Sequence, residues 1–241
     1  MTGRMLLNTA ETGAGDRVAL LAHGMMGSAE SWWRVAPLLA ENGFRVLAVD
    51  LPGHGLSPRD EHCTVASVAD DVAETVAARA PGLPVHAIGH SYGGTVLAAL
   101  AERMPIALAA YVDTTCSFEG GADQRALTER YAGDRENRRD PAWLMQTRAF
   151  YSATDAEVEA RAAERFDPAT MASISAGDDV RRDPQPGSIL VRAAPSPYVD
   201  EADARRLASG GVHVRDIPGA AHSVWYSHFA EFTAALPEFF A

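Results

Sequence analysis

Over the first hundred residues, short apolar runs alternate with longer stretches of helical periodicity. Arg17-Val-Ala-Leu-Leu-Ala-His23, Phe44-Arg-Val-Leu-Ala-Val-Asp50, Pro84-Val-His-Ala-Ile-Gly89 and Ile106 to Asp113 read as buried strands. Between them, Ser28 to Asn42 reads as a helix with Ser28 or Ser31 at its N-cap and Gly43 closing it. Thr64 caps a second helix, whose Val65, Val68, Val72 and Val76 recur at helical spacing up to Pro81, and Tyr92 to Arg103 makes a third. The alternation resumes late in the chain. Ser188 to Arg192 and Val212 to Ile217 read as strands, with a helix from Asp200 to Ser209 between them and a last helix from Tyr226 to Phe240. Strands apolar at every position, each followed by a helix, predict an α/β fold. The expected architecture is a mostly parallel, doubly wound sheet covered on both faces.

Cys116 to Gly187 breaks this rhythm. It carries no convincing strand and is rich in Arg, Asp, Glu and Ala, with helical stretches around Gln124–Tyr131, Trp143–Ser152 and Ala156–Arg165. Trp143, Leu144, Phe150, Tyr151 and Phe166 give it apolar surface to bury. The expected organisation is therefore a core of residues 1–115 and 188–241 interrupted by a helical insertion over 116–187. No internal repeat or low-complexity tract is visible.

Composition narrows the function. A chain of 241 residues with 47% hydrophobic and 22% charged positions fits one large domain. Its net charge of −11 argues against binding a phosphate backbone. All 21 basic residues are Arg, which excludes chemistry through a Lys Schiff base or a P-loop Lys. Cys63 and Cys116 are too few for a disulfide framework or a Cys-based zinc site. Met1 to Asp16 has no apolar core of a secretory signal, and no run is long enough to span a bilayer. The expected location is the cytoplasm, with no membrane or nucleic-acid partner.

The chemistry concentrates in loops after strands. Gly89-His90-Ser91-Tyr92-Gly93 is a G-x-S-x-G pattern placed between a predicted strand and a predicted helix. Flanking glycines leave room for a close turn, and the helix N-terminus lends positive potential where an oxyanion would form. Ser91 is the candidate nucleophile; the plain alternative is a glycine-rich turn with a capping serine. His23-Gly24-Met25-Met26-Gly27 ends an earlier strand and can aim a backbone N–H at the same point. Met25 and Tyr92 are thus candidate oxyanion donors. Of the eight histidines, His222 is the best base, on the small-residue loop Ile217-Pro-Gly-Ala-Ala-His222 after the last strand. His23 and His54 are in reserve, and His90 is expected to pack behind the serine turn. Tyr92, Met25, Met26, Trp32, Trp225, Trp143, Phe150 and Tyr151 could line an apolar pocket.

Four segments in this order resemble the alpha/beta-hydrolase superfamily, in its small esterase-like branch. They are His23-Gly24…Gly27, Asp50-Leu-Pro-Gly-His-Gly55-Leu-Ser57, Gly89-His-Ser-Tyr-Gly-Gly94 and Pro218-Gly-Ala-Ala-His222. The resemblance implies Ser91 as nucleophile, His222 as base, Met25 and Tyr92 N–H groups as oxyanion hole, and 116–187 as a cap roofing the pocket. The Asp50–Ser57 segment reads as structural. One element departs from the family pattern: Pro195 stands where the acid after the penultimate strand is expected, and a proline cannot orient an imidazole. Some members carry the acid at the end of the strand before the cap, where this chain has Asp113; Asp200 is the alternative. The implied activity is a serine hydrolase of carboxylic esters, thioesters or lactones, needing no metal or cofactor. Its substrate would be a small molecule with an apolar or aromatic acyl group. Similar Ser/His pairs also serve cofactor-independent dioxygenases and lyases that use the histidine as base, and a non-catalytic ligand receptor is a third possibility.

Overall fold

A computed structural model describes residues 5–241. Among the described residues the strands are β1 Thr9–Thr12, β2 Arg17–Ala22, β3 Phe44–Val49, β4 Val85–His90, β5 Leu108–Val112, β6 Ser117–Phe118, β7 Val180–Arg181, β8 Ile189–Ala194 and β9 His213–Pro218. The helices are α1 Val35–Glu41, α2 Val65–Arg79, α3 Tyr92–Leu100, α4 Gln124–Arg138, α5 Pro141–Thr147, α6 Ala153–Arg165, α7 Pro168–Ala176, α8 Glu201–Ser209, α9 Val224–Ser227, α10 Phe229–Ala234 and α11 Pro237–Phe240. Seven strands form one sheet in the order β1-β3-β2-β4-β5-β8-β9, parallel except for the edge pair β1–β3.

The uniformly apolar strands serve two cores at once. On β2, Val18, Leu20 and Ala22 face one core with Val68, Val72 and Val76 of α2 and Val96 of α3. Ala19 and Leu21 face the other, with Trp32, Val35, Leu39, Phe232 and Phe239. Successive strand side chains point to opposite faces, so both must be apolar when both are covered. The insertion shares these cores: Leu127, Tyr131, Phe166 and Met171 join the first, and Leu144, Tyr151, Ala156 and Ala160 the second. The antiparallel pair β6–β7 closes its base.

Several elements differ from the pattern reading. β1, with a mostly exposed burial pattern, pairs at the sheet edge where no strand is expected. The helix read over Ser28–Asn42 is a 3₁₀ turn, Ala29–Trp32, followed by the shorter α1. Trp32 stacks on Trp225 at 4.4 Å, and packing of these indoles outweighs continuous helical geometry. The single C-terminal helix is three pieces, because His228 adopts a non-helical conformation and Pro237 starts a new helix without an N–H to donate. In the insertion, α4 extends to Arg138 and α7 is an additional helix opened by Asp167 and Pro168. Among the described residues, no helix is long and apolar enough to cross a membrane.

Candidate active site

Ser91 sits between the end of β4 and the first turn of α3 with φ 50° and ψ −120°, a strained left-handed conformation for a non-glycine residue. It is over-determined by its surroundings. Ser91 N–H donates to the Val112 carbonyl at 3.0 Å, and its own carbonyl accepts from Gly94 and Thr95 at 2.9 and 3.2 Å. Glycine flanks are obligatory because a Cβ on Gly93 would lie 2.3 Å from the Ala22 carbonyl oxygen, and one on Gly89 would lie 2.7 Å from that of Gly93. The sharp turn brings α3 against the end of β2, where the Gly24–Gly27 turn begins. Among the described residues, the N–H groups of Met25 and Tyr92 donate to no protein acceptor, so both remain open to a ligand.

Asp113 follows β5 with φ 49° and is fully buried. Its Oδ1 accepts from Ala193 N–H at 3.1 Å, and its Oδ2 accepts from His222 Nδ1 at 2.7 Å. An ionised carboxylate can only accept, so Nδ1 carries the proton and Nε2 is the free nitrogen of His222. The loop carrying His222 is pinned at both ends: Gly219 N–H donates to Ala194 at 2.9 Å and Ala221 N–H to Ser227 Oγ at 3.0 Å. His90 Nε2 donates to the His222 carbonyl at 3.1 Å, and its ring lies 4.5 Å from that of His222. Burial, with the nearby His222, holds His90 well below the usual imidazole range and therefore neutral. Tyr198, from the loop after β8, covers the other side of the His222 ring at 4.0 Å.

The remaining candidates fall into structural places. Asp200 caps α8, its Oδ1 accepting from Ala202 and Asp203 N–H at 2.8 Å, and is not near His222 as a partner. His23 donates from Nδ1 to the Gly24 carbonyl at 2.8 Å and accepts Leu51 N–H on Nε2 at 3.0 Å, tying two loops together. His54 is enclosed by His23, Tyr92 and Phe166, and burial pushes its pKa down to about 3. Asp50 accepts from Asn8 and from Ala29 and Leu56 N–H. Among the described residues, no three His, Cys, Asp or Glu side chains converge as metal ligands.

Two cavities open from Ser91, with Met25 and Tyr198 as shared walls. The larger, about 540 Å³, runs past Phe118, Leu127, Tyr131 and Met171. The smaller, about 270 Å³, contains His222 and is bounded by Trp225, Phe150 and Tyr151, together with Arg138, Arg148 and Glu159. Of the aromatic and sulfur side chains expected at a pocket, Met26, Trp32 and Trp143 line neither; Met26 and Trp32 are core. Arg138, Arg148 and Glu159 escape sequence reading because they are ordinary members of an Arg- and Glu-rich helical stretch, and only the tertiary fold turns them inward.

The model of the Alpha/beta hydrolase family matches residues 19–235, and the chain belongs to that family. A pimeloyl-[acyl-carrier protein] methyl ester esterase of Sodalis glossinidius is 40% identical over 112 residues, covering 46% of this chain and 41% of that protein. A polyneuridine aldehyde esterase of Rauvolfia serpentina is 31% identical over 133 residues, 54% and 49% of the two. The chain thus spans less than half the length of these curated relatives. A marine microorganism esterase shares the fold over 97% of this chain and 99% of its own, with a TM-score of 0.73 and 18% identity. Family and fold are thus those of the alpha/beta hydrolases.

Proposed function

We propose that the chain cleaves a carboxylic ester, thioester or lactone through an acyl-enzyme on Ser91. The observation that carries this reading is the 2.7 Å bond between buried Asp113 and His222, whose ring shares a cavity with the strained Ser91. Ser91 Oγ attacks the substrate carbonyl while His222 Nε2 takes its proton. The carbonyl oxygen becomes an oxyanion held by Met25 and Tyr92 N–H, each such donor being worth about 3 kcal/mol in the transition state. Collapse expels the alcohol or thiol, which leaves with the proton from His222. Water then attacks the acyl-enzyme, again through His222, to release the acid and restore Ser91. Asp113 fixes the tautomer and stabilises the imidazolium. Residues 116–187 act as the cap over both cavities, and the larger one receives the apolar or aromatic part of the substrate.

The test is a p-nitrophenyl ester series of increasing chain length on wild type and Ser91→Ala, with organophosphonate labelling read by mass spectrometry. Turnover lost in the variant and a phosphonyl adduct on Ser91 are expected. Absence of ester turnover together with an unlabelled Ser91 would overturn the reading in favour of base chemistry at His222.

A further inference from the structure

The smaller cavity beside Ser91 holds more positive charge than its lining neutralises. Arg138 and Arg148 both enter it, with Glu159 as the lone carboxylate. Glu159 is already committed. Its Oε1 accepts from Ser31 Oγ at 2.7 Å and Tyr226 hydroxyl at 2.9 Å, and its Oε2 accepts from Arg138 at 3.0 Å. Arg148 forms no ion pair with any carboxylate among the described residues. Its guanidinium donates only to the neighbouring Thr147 hydroxyl at 3.2 Å and lies near the Trp143 and Tyr151 rings. Arg138 lines the same cavity with its Nε buried and without an acceptor. Partial burial and the like charge of Arg138 act against the Arg148 cation and outweigh the opposite pull of Tyr151, Glu159 and Tyr198. A partly buried guanidinium without an ion pair, in the cavity that also contains Ser91 and His222, is placed to pair with an anionic ligand.

We infer that Arg148 binds a carboxylate carried by the substrate, so that the preferred substrates are acidic esters. This deepens the proposed hydrolase reading and rests on it. A guanidinium presents paired N–H groups to a carboxylate in one plane, which would set the distance between that group and the carbonyl attacked by Ser91. The larger cavity, where Phe118, Leu127 and Met171 stand beside Glu119 and Arg130, would take the other end of the substrate.

The charged group could sit on the acyl or the alcohol side, and paired substrates separate the two. On the acyl side, p-nitrophenyl hydrogen adipate is compared with p-nitrophenyl hexanoate, after subtraction of the uncatalysed rate. On the alcohol side, carboxymethyl acetate is compared with propyl acetate by titration of released acid. Wild type is expected to favour the charged member of one pair by roughly 10-fold or more in kcat/KM, the scale of one charged hydrogen-bonded contact. Arg148→Met should bring that ratio close to one, with Arg148→Gln as the second variant should the first not fold. Binding is read separately on Ser91→Ala, whose melting temperature should rise with monomethyl adipate or carboxymethyl acetate and not when Arg148→Met is added. No charged preference in either pair and no Arg148-dependent stabilisation would overturn the inference. Arg148-dependent stabilisation without turnover of any ester would instead keep the anion site and overturn the hydrolase reading.

Discussion

Asp113 meets two demands with one carboxylate: one oxygen satisfies the backbone of β8 at Ala193, and the other orients His222. Asp113→Asn keeps the size and the bond from Ala193, but its amide can present N–H to Nδ1 and favour the wrong tautomer. The expected result is a fall of about 10⁴ in kcat with little change in melting temperature, read by ester kinetics and thermal unfolding on one preparation. A fall of less than about tenfold would leave the orienting role to another group. Gly93 tests the turn from the other direction. Gly93→Ala would place a methyl 2.3 Å from a strand carbonyl, so it should fail to fold or lose several kcal/mol, of order 3, in urea titration. Ser91 and His222, the proposed nucleophile and base, can be picked out in sequence because such a turn needs glycines at fixed offsets and such a base a loop at a strand end. Asp113 is legible only by its position in chain order, and nothing in the sequence around Arg148 distinguishes it from Arg135 or Arg139, which are paired on the surface.

Both α6 and α7 fasten the helical insertion to the core, α7 through Asp167 N–H to the Gly53 carbonyl at 2.7 Å and Thr170 Oγ1 accepting from Asp60 N–H. From α6, Glu159 reaches Ser31 in the 3₁₀ turn, Tyr226 in α9 and Arg138 in α4, while Asp155 accepts from Trp33 Nε1 at 3.1 Å. The same helix also carries Arg161 and Arg165, which pair with Glu30 at the surface. Burial separates the two sets. Glu159→Ala strands the Arg138 guanidinium and the Ser31 hydroxyl, while Tyr226 keeps the Ser31 carbonyl as acceptor, and should cost about 3 kcal/mol. Glu30→Ala removes solvent-screened pairs and should cost less than about 1 kcal/mol. Equal losses in parallel denaturant titrations would mean that the insertion is held by packing alone. Central strands are readable because both their faces are covered, so apolar residues run without a break. Edge strand β1 has no such signature: Thr9, Ala10, Glu11 and Thr12 face largely outward, and its pairing with β3 is a matter of backbone hydrogen bonds.

At the scale of the whole molecule, buried histidines give the fold a pronounced acid sensitivity. Burial holds His23 below its ordinary value, His54 down at about 3, and His90 well below the usual range. In the unfolded chain each takes up a proton near pH 6.5. Below that pH the unfolded state therefore binds more protons than the folded one, so stability is full above about pH 6.5 and is lost as the pH falls. Each histidine that stays neutral when folded contributes a slope of about 1.4 kcal/mol per pH unit, which three such groups would raise to about 4. Against a total stability of roughly 5–15 kcal/mol, a drop from pH 7 to pH 5.5 should remove about 4 kcal/mol and lower the melting temperature markedly. His54 isolates one share of this effect. Its ring is held by aromatic neighbours and its Nε2 has no partner, so phenylalanine can take its volume at the cost of the bond to the Pro52 carbonyl. His54→Phe should be less stable than wild type by about 1 kcal/mol at pH 7.5. Its urea stability should nevertheless decline less steeply toward pH 5, by about 1.4 kcal/mol per unit, so that the two curves cross near pH 6. Parallel curves for the two proteins would show that His54 protonates in the folded state and contributes nothing to the acid limb.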